Sequence, residues 1–254
     1  MRSRSEDGVV HVSYFWRGYD DYRLQRVTNL AQLTIPDESM CPERGKPLQD
    51  FSATSDDGTV RVLFRNLEAE LIAMIGKADL VVGCVAWLTS EPILRALACT
   101  RGTQIVVQKE DFLRPDLDTP NAWARRLRAL YGELHMPVTR YELPPPVGMM
   151  SFCGDPTVEA VRCVGNHNRT RSPAFPRAHH KFVVFCRDGL DPYAVWTGSF
   201  NFTKNGNASL ENALVLTDPT ITRAYLSEWA QILAISEPLD WRAEWVAPQW
   251  RIGS

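Results

Sequence analysis

The run Leu80-Val81-Val82-Gly83-Cys84-Val85-Ala86-Trp87 is apolar at nearly every position. A strand that reads this way is buried on both faces, so other layers must cover it. Its surroundings repeat a pattern. Residues 60–64 read as a short strand, and Asn66 stands where it can cap a helix with Leu67, Leu71, Met74, Ile75 and Ala78 at helical spacing. Ser90 can cap a second helix over 91–99, with Pro92 in its first turn, and Arg101-Gly102 ends it before a strand over 103–108. Strand, helix, strand, helix, strand implies parallel pairing through right-handed crossovers. The expected class is α/β, with a mixed, largely parallel central sheet flanked by helices.

Further along, Thr119-Pro120 opens a helix that carries Trp123, Leu127, Leu130, Tyr131 and Leu134 on one face, with Arg125, Arg126 and Arg128 off that stripe. Strands are expected over 138–143, 158–164 and 213–216. Asp218-Pro219 starts a helix with Ile221, Tyr225, Trp229, Ile232 and Leu233 inward. Three regions follow from this. Residues 1–57 are an N-terminal extension and linker, with a strand over 9–16 and a Pro-, Ser-, Asp- and Gly-rich stretch over 36–57. Residues 58–236 are the main domain. Residues 237–254 are a tail whose Trp241, Trp245 and Trp250 should pack on the domain or on a second subunit, because apolar rings are costly to leave in water.

The 254 residues carry a net charge of −2, which by itself does not point to nucleic acid. No apolar run reaches membrane-spanning length, and the first residues form no signal-like segment, so a cytoplasmic protein without a membrane partner is expected. The six cysteines form no CxxC pair. Cys153, Cys163 and His167 lack the spacing of a compact zinc site, and no metal or other cofactor is expected.

The chemistry is concentrated in residues 179–212. His179 and Lys181 are two apart, ahead of the apolar run Phe182-Val183-Val184-Phe185. On a strand, residues i and i+2 share a face, so imidazole and ammonium stand side by side while His180 points away. Ala194-Val195-Trp196-Thr197 reads as the next strand. It opens into Gly198, which would let backbone approach a ligand, and into the hydrogen-bonding Ser199 and Asn201. This set suits a phosphate. Residues 160–187 contain no Asp or Glu, yet hold Arg162, Arg169, Arg171, Arg177, Lys181 and Arg187 with His167, His179 and His180. A local cationic field of this kind would attract a polyanion.

At these residues the chain resembles the phospholipase D superfamily, whose motif is His-x-Lys-x4-Asp followed by Gly-Ser-x-Asn and a downstream Glu. His179, Lys181, Gly198, Ser199, Asn201 and Glu211 match it. Cys186 stands where the family has aspartate, and Asp188 is the nearest acid that could replace it. The wording Gly198-Ser199-Phe200-Asn201-Phe202-Thr203-Lys204 looks most like the small bacterial nuclease branch, and the likeness spans about residues 59–236.

The resemblance implies a metal-independent phosphodiesterase, most simply a nuclease. His179 would be the nucleophile, forming a phosphohistidine. Lys181 and Asn201 would bind the non-bridging oxygens, and Glu211 would orient the His179 ring. Ser199, Gly198, Arg177, Arg171 and Arg169 would contact substrate. The family uses two such motifs per site, and residues 59–116 contain no histidine, so a homodimer sharing one site is expected. The partner would be nucleic acid, DNA ahead of RNA. The alternatives are a phospholipid phosphodiesterase or phosphatidyl transferase of the same superfamily, and a non-catalytic nucleic-acid binding module.

Overall fold

The computed structural model of the chain describes residues 3–4, 10–11, 28–35, 45–113, 122–137, 140–142, 148–152, 159–166, 176–239 and 250–252. Eight strands form one sheet: Ala53–Thr54 (β1), Val60–Leu63 (β2), Leu80–Val85 (β3), Gly102–Gln108 (β4), Val161–Val164 (β5), Lys181–Arg187 (β6), Asp191–Gly198 (β7) and Ala213–Leu216 (β8). Their order is β5-β4-β3-β6-β7-β8-β2-β1. Helices Leu67–Ile75 (α1), Glu91–Ala98 (α2) and Ala122–Gly132 (α3) cover one face. A short helix, Lys204–Asn207 (α4), follows β7, and Pro219–Ala234 (α5) covers the other face.

The apolar strands explain the three layers. Along β3, Val81 and Val85 enter the core under α1–α3, while Leu80, Val82 and Cys84 enter the core under α5. On β6, Val183 and Phe185 face the first core and Phe182, Val184 and Cys186 the second. Both strands therefore need apolar residues at every position. Gly83 has a packing reason: a Cβ there would collide with the Phe182 carbonyl of β6. Trp229, Ala230 and Leu233 anchor α5 with no exposed surface, and full burial of a large apolar side chain stabilises by about 1.5–3 kcal/mol.

The expected mixed α/β sheet with flanking helices is present, but parallel pairing is narrower than the sequence suggests. It is confined to β5–β4 and β4–β3, and the other five junctions are antiparallel. A strand–helix–strand unit sets relative direction without requiring adjacency. Here β6, β7 and β8 lie between β2 and β3.

Several local expectations change. Ser90 does cap α2, accepting from Ile93 N at 3.4 Å, and Asp218 caps α5 through Thr220 N and Ile221 N. Asn66 does not cap α1 through its side chain; it sits left-handed at φ 55°, and only its carbonyl joins the helix, accepting from Glu70 N. Trp123 is 48% exposed and Ile221 is 41% exposed, although helical spacing placed both inward.

Within the extension, β1 adds an edge strand to the sheet, and Val10–His11 pairs with Ser3–Arg4; the rest of the strand expected over 9–16 lies outside the described residues. Beyond α5, Glu237 pairs with Cys163 of β5. Trp250–Ile252 pairs with Met149–Phe152, which also pairs with Arg140–Glu142, while Trp241 and Trp245 lie outside the described residues. No described helix is long and apolar enough to cross a membrane.

Candidate active site

The end of β3, the start of β6, the end of β7 and the start of β8 meet at one end of the sheet, as the register Lys181↔Val85 and Gly198↔Ala213 requires. The loop after β3 is tied to the loop after β7, because Thr89 N and Ser90 N both donate to Phe202 O at 2.8 Å. His179 lies just before β6, and Lys181 begins it.

The two side chains share one neighbour. The His179 ring meets Trp87 edge-on at 5.4 Å between centroids, and Lys181 Nζ lies 5.6 Å from the Trp87 centroid. Lys181 Nζ donates to the His179 carbonyl at 2.9 Å. His180 turns to the α5 side, edge-on to Phe182 at 5.6 Å and 3.8 Å from Glu228. The expected i, i+2 arrangement is what the backbone delivers.

Charge around His179 is one-sided. Partial burial, then Lys181, Arg177 and His180, hold its imidazole below the usual histidine range. A lowered pKa keeps the ring neutral, with a free lone pair, at pH 7 and somewhat below. NMR titration should therefore place the His179 midpoint below the ordinary value of ~6.5. Arg177→Gln should move it upward, and a wild-type midpoint above that value would contradict the geometry. Burial likewise lowers the Lys181 pKa, and Glu211 opposes that effect.

The opposite wall is built by the chain leaving β7. Ser199 Oγ donates to Asn212 Oδ1 and accepts from Asn212 N, both at 3.1 Å. A Cβ at Gly198 would collide with the Asn212 carbonyl, so this glycine answers to the strand crossing beside it. Asn201 and Glu211 line a cleft of about 500 Å³ together with Trp87. Asn201 Oδ1 is buried without a hydrogen-bond partner. No hydrogen bond joins Glu211 to His179; the carboxylate acts on the Lys181 ammonium.

The cationic stretch divides. Arg177 is half-buried next to His179, whereas Arg169, Arg171 and His167 lie outside the described residues. Arg162 is not at the site: it is buried and donates to Ser236 Oγ at 2.7 Å and Ser236 O at 3.0 Å. Arg187 lies at the far end of the β6–β7 hairpin, 4.3 Å over Tyr193. Asp188 is at that same end, exposed and paired with Arg101 at 2.9 Å, and so does not put an acid in the buried position that Cys186 fills. Cys186 is fully buried in the α5-side core, and burial pushes its thiol up to about 12. It packs as a small apolar group.

Sequence reading missed Gln108. This fully buried side chain donates to Lys109 O at 2.9 Å and Asn166 O at 2.8 Å, and accepts from Ala178 N at 2.7 Å. It fastens both ends of the segment between β5 and β6, next to His179. The signal was a polar pair, Gln108-Lys109, closing the apolar run Ile105-Val106-Val107. Among the described residues, no three His, Cys, Asp or Glu side chains are grouped to hold a metal ion.

No family model matches the chain. Uncharacterized protein L381 of Acanthamoeba polyphaga mimivirus is 30% identical over 210 residues, covering 76% of this chain and 72% of the viral one. The chain belongs to the family of that viral protein. Members of the phospholipase D family are among the solved structures similar to this L381-like chain. Nuc from Salmonella typhimurium, described as a phospholipase D family member, is 18% identical with a TM-score of 0.43, over 72% of this chain and 98% of its own. NucT from Helicobacter pylori is 14% identical with a TM-score of 0.47, over 70% and 98%.

Proposed function

We propose that this chain is a phosphodiesterase of the phospholipase D type that cleaves nucleic acid through a phosphohistidine. The observation that carries the reading is the pairing of His179 and Lys181 on Trp87 at one strand end, with the imidazole held neutral beside a fixed ammonium. A neutral ring nitrogen can attack phosphorus, and adjacent positive charge stabilises the oxygens as the transition state forms.

In this reading a His179 nitrogen bonds to phosphorus and the bond to the leaving oxygen breaks. Lys181 and the Asn201 amide hold the non-bridging oxygens. Glu211 opposes the burial that lowers the Lys181 pKa and so favours its ammonium form. The leaving oxygen takes its proton from a second ring in its protonated form, the His179 of another copy of the chain placed across a two-fold axis, whose charged state the bound phosphate anion favours. Water then attacks the phosphohistidine and gives its proton to the second ring, now neutral, while the P–N bond breaks and both rings return to their starting forms. Arg177, with Arg169 and Arg171, would draw the polyanion in, and Ser199 and Gly198 would shape the site through Asn212.

The test is to incubate pure protein with labelled DNA, RNA and phosphatidylcholine, each with and without EDTA. Nucleic acid should be cut equally well in both conditions. Activity that disappears with chelator and returns with magnesium or zinc would remove the mechanism, and hydrolysis of the lipid alone would replace the substrate.

A further inference from the structure

The cleft beside Asn201 and Glu211 is more than the mouth of the catalytic site, because its other wall is aromatic. Trp87, Phe112 and Trp123 line it together. Phe112 and Trp123 meet edge to face at 5.2 Å, with planes at 64°. Trp87 is fixed from behind, donating from Nε1 to Glu110 Oε1 at 2.9 Å. The ring that backs His179 and Lys181 is thus also the near wall of the cleft. Trp87 joins the two: His179 and Lys181 stand against it without lining the cleft themselves.

Trp123 packs on Phe112 but lies outside the core positions of α3. The buried positions of α3 are Ala124, Leu127, Leu130 and Tyr131, and they close the core without it. Trp123 keeps 48% of its surface exposed, although water is a poor environment for indole. The facing wall is polar. Asn201 Oδ1 is buried and unpartnered, and leaving such an acceptor unsatisfied is unfavourable until a donor arrives. Lys204 stands exposed at the same cleft, where it can meet a neighbouring phosphate.

Flat rings together with amide, hydroxyl, carboxylate and ammonium groups match a nucleobase with its sugar and phosphate, the Glu211 carboxylate being able to accept from a base or sugar donor and Lys204 to meet the phosphate. They match acyl chains poorly, since those require an apolar lining throughout. A base within a duplex is already stacked and paired and cannot enter. We propose that this cleft is a base-stacking subsite, and that the substrate is single-stranded nucleic acid with the base next to the scissile phosphate stacked against Trp123. The proposal rests on the nuclease reading and adds the substrate class to it.

The experiment compares wild type, Trp123→Ala and Trp123→Phe on a single-stranded oligonucleotide, its duplex, the same strand with abasic residues flanking the scissile bond, and phosphatidylcholine micelles. Wild type should cut the single strand best. Trp123→Ala should raise KM on that strand by about 5- to 160-fold, the range that the loss of one base–aromatic stack produces. Trp123→Phe should keep most of the affinity. All three should converge on the abasic strand. Equal cleavage of intact, duplex and abasic substrates by wild type would overturn the subsite and leave the nuclease reading standing. Cleavage of none of them would overturn that reading and the subsite with it. Lipid hydrolysis that falls in Trp123→Ala would assign the cleft to a lipid and also overturn the proposal. If Trp123→Ala melts early, wild type and Trp123→Phe on intact and abasic strands decide the matter by themselves.

Discussion

In mixtures of wild-type and His179→Ala chains that exchange subunits, activity should fall as the square of the wild-type fraction. The proposed mechanism uses one imidazole to attack and another to protonate the leaving oxygen. The chain has five histidines. His180 faces α5 and Glu228. His135 receives a hydrogen bond on its carbonyl from Thr103 N, at the start of β4 and therefore at the opposite end of the sheet from the site. Among the described side chains, only a second copy of His179 can supply the second ring. A dimer with one His179 lacks either acid or nucleophile, and losing a general acid alone costs about 10²–10⁴ in rate. Such mixed dimers are nearly silent, so only doubly competent pairs count. A straight line in the wild-type fraction, with exchange verified, would sink the shared site and direct attention to His167.

Glu237→Gln should lower stability by about 3–5 kcal/mol, the usual result of breaking one side of a buried ion pair. Glu237 and Lys109 pair with no exposed side-chain surface on either partner. Arg162 lies in the same buried group, where burial lowers its pKa against the opposing charges of Glu159 and Glu237. The carboxylate thus sits among cations that water cannot reach. The backbone there is also fixed, with Cys163 N bonded to Glu237 O at 2.9 Å and Glu237 N to Cys163 O at 2.7 Å. The Gln side chain fits the space but leaves Lys109 without that charge. For a domain of this size, 1 kcal/mol moves the melting temperature by about 2–4 °C, so a fall of roughly 6–20 °C is expected. Replacing the pair by Lys109→Met with Glu237→Leu should recover most of it, because the desolvation penalty goes with the charges. A melting temperature within 2 °C of wild type, about 1 kcal/mol or less, would show that the pair contributes little.

Much of the site was legible without coordinates. The two-residue period of a strand places His179 and Lys181 together and turns His180 away, and any chain that forms β6 must obey it. The continuous apolar runs of β3 and β6 required cover on both sides, and Ser90 and Asp218 marked the helix starts they occupy. These are local rules, and each acts over a few residues. What they left open depends on residues far apart in the chain. Strand–helix–strand logic set the direction of β2 and β3, but the antiparallel β6, β7 and β8 took the space between them. Arg162 belonged by sequence to a cationic stretch, yet Ser236, 74 residues away, draws it into the interior. Helical spacing placed Trp123 inward, but α3 extends past the core it covers and leaves the ring over the cleft. Gln108 looked like the end of a strand until the fold brought Asn166 and Ala178 to its amide. Sequence determined faces, directions and caps because those follow from backbone geometry. Tertiary structure decided neighbours and burial, because whether a polar group can be buried depends on the partner that meets it there.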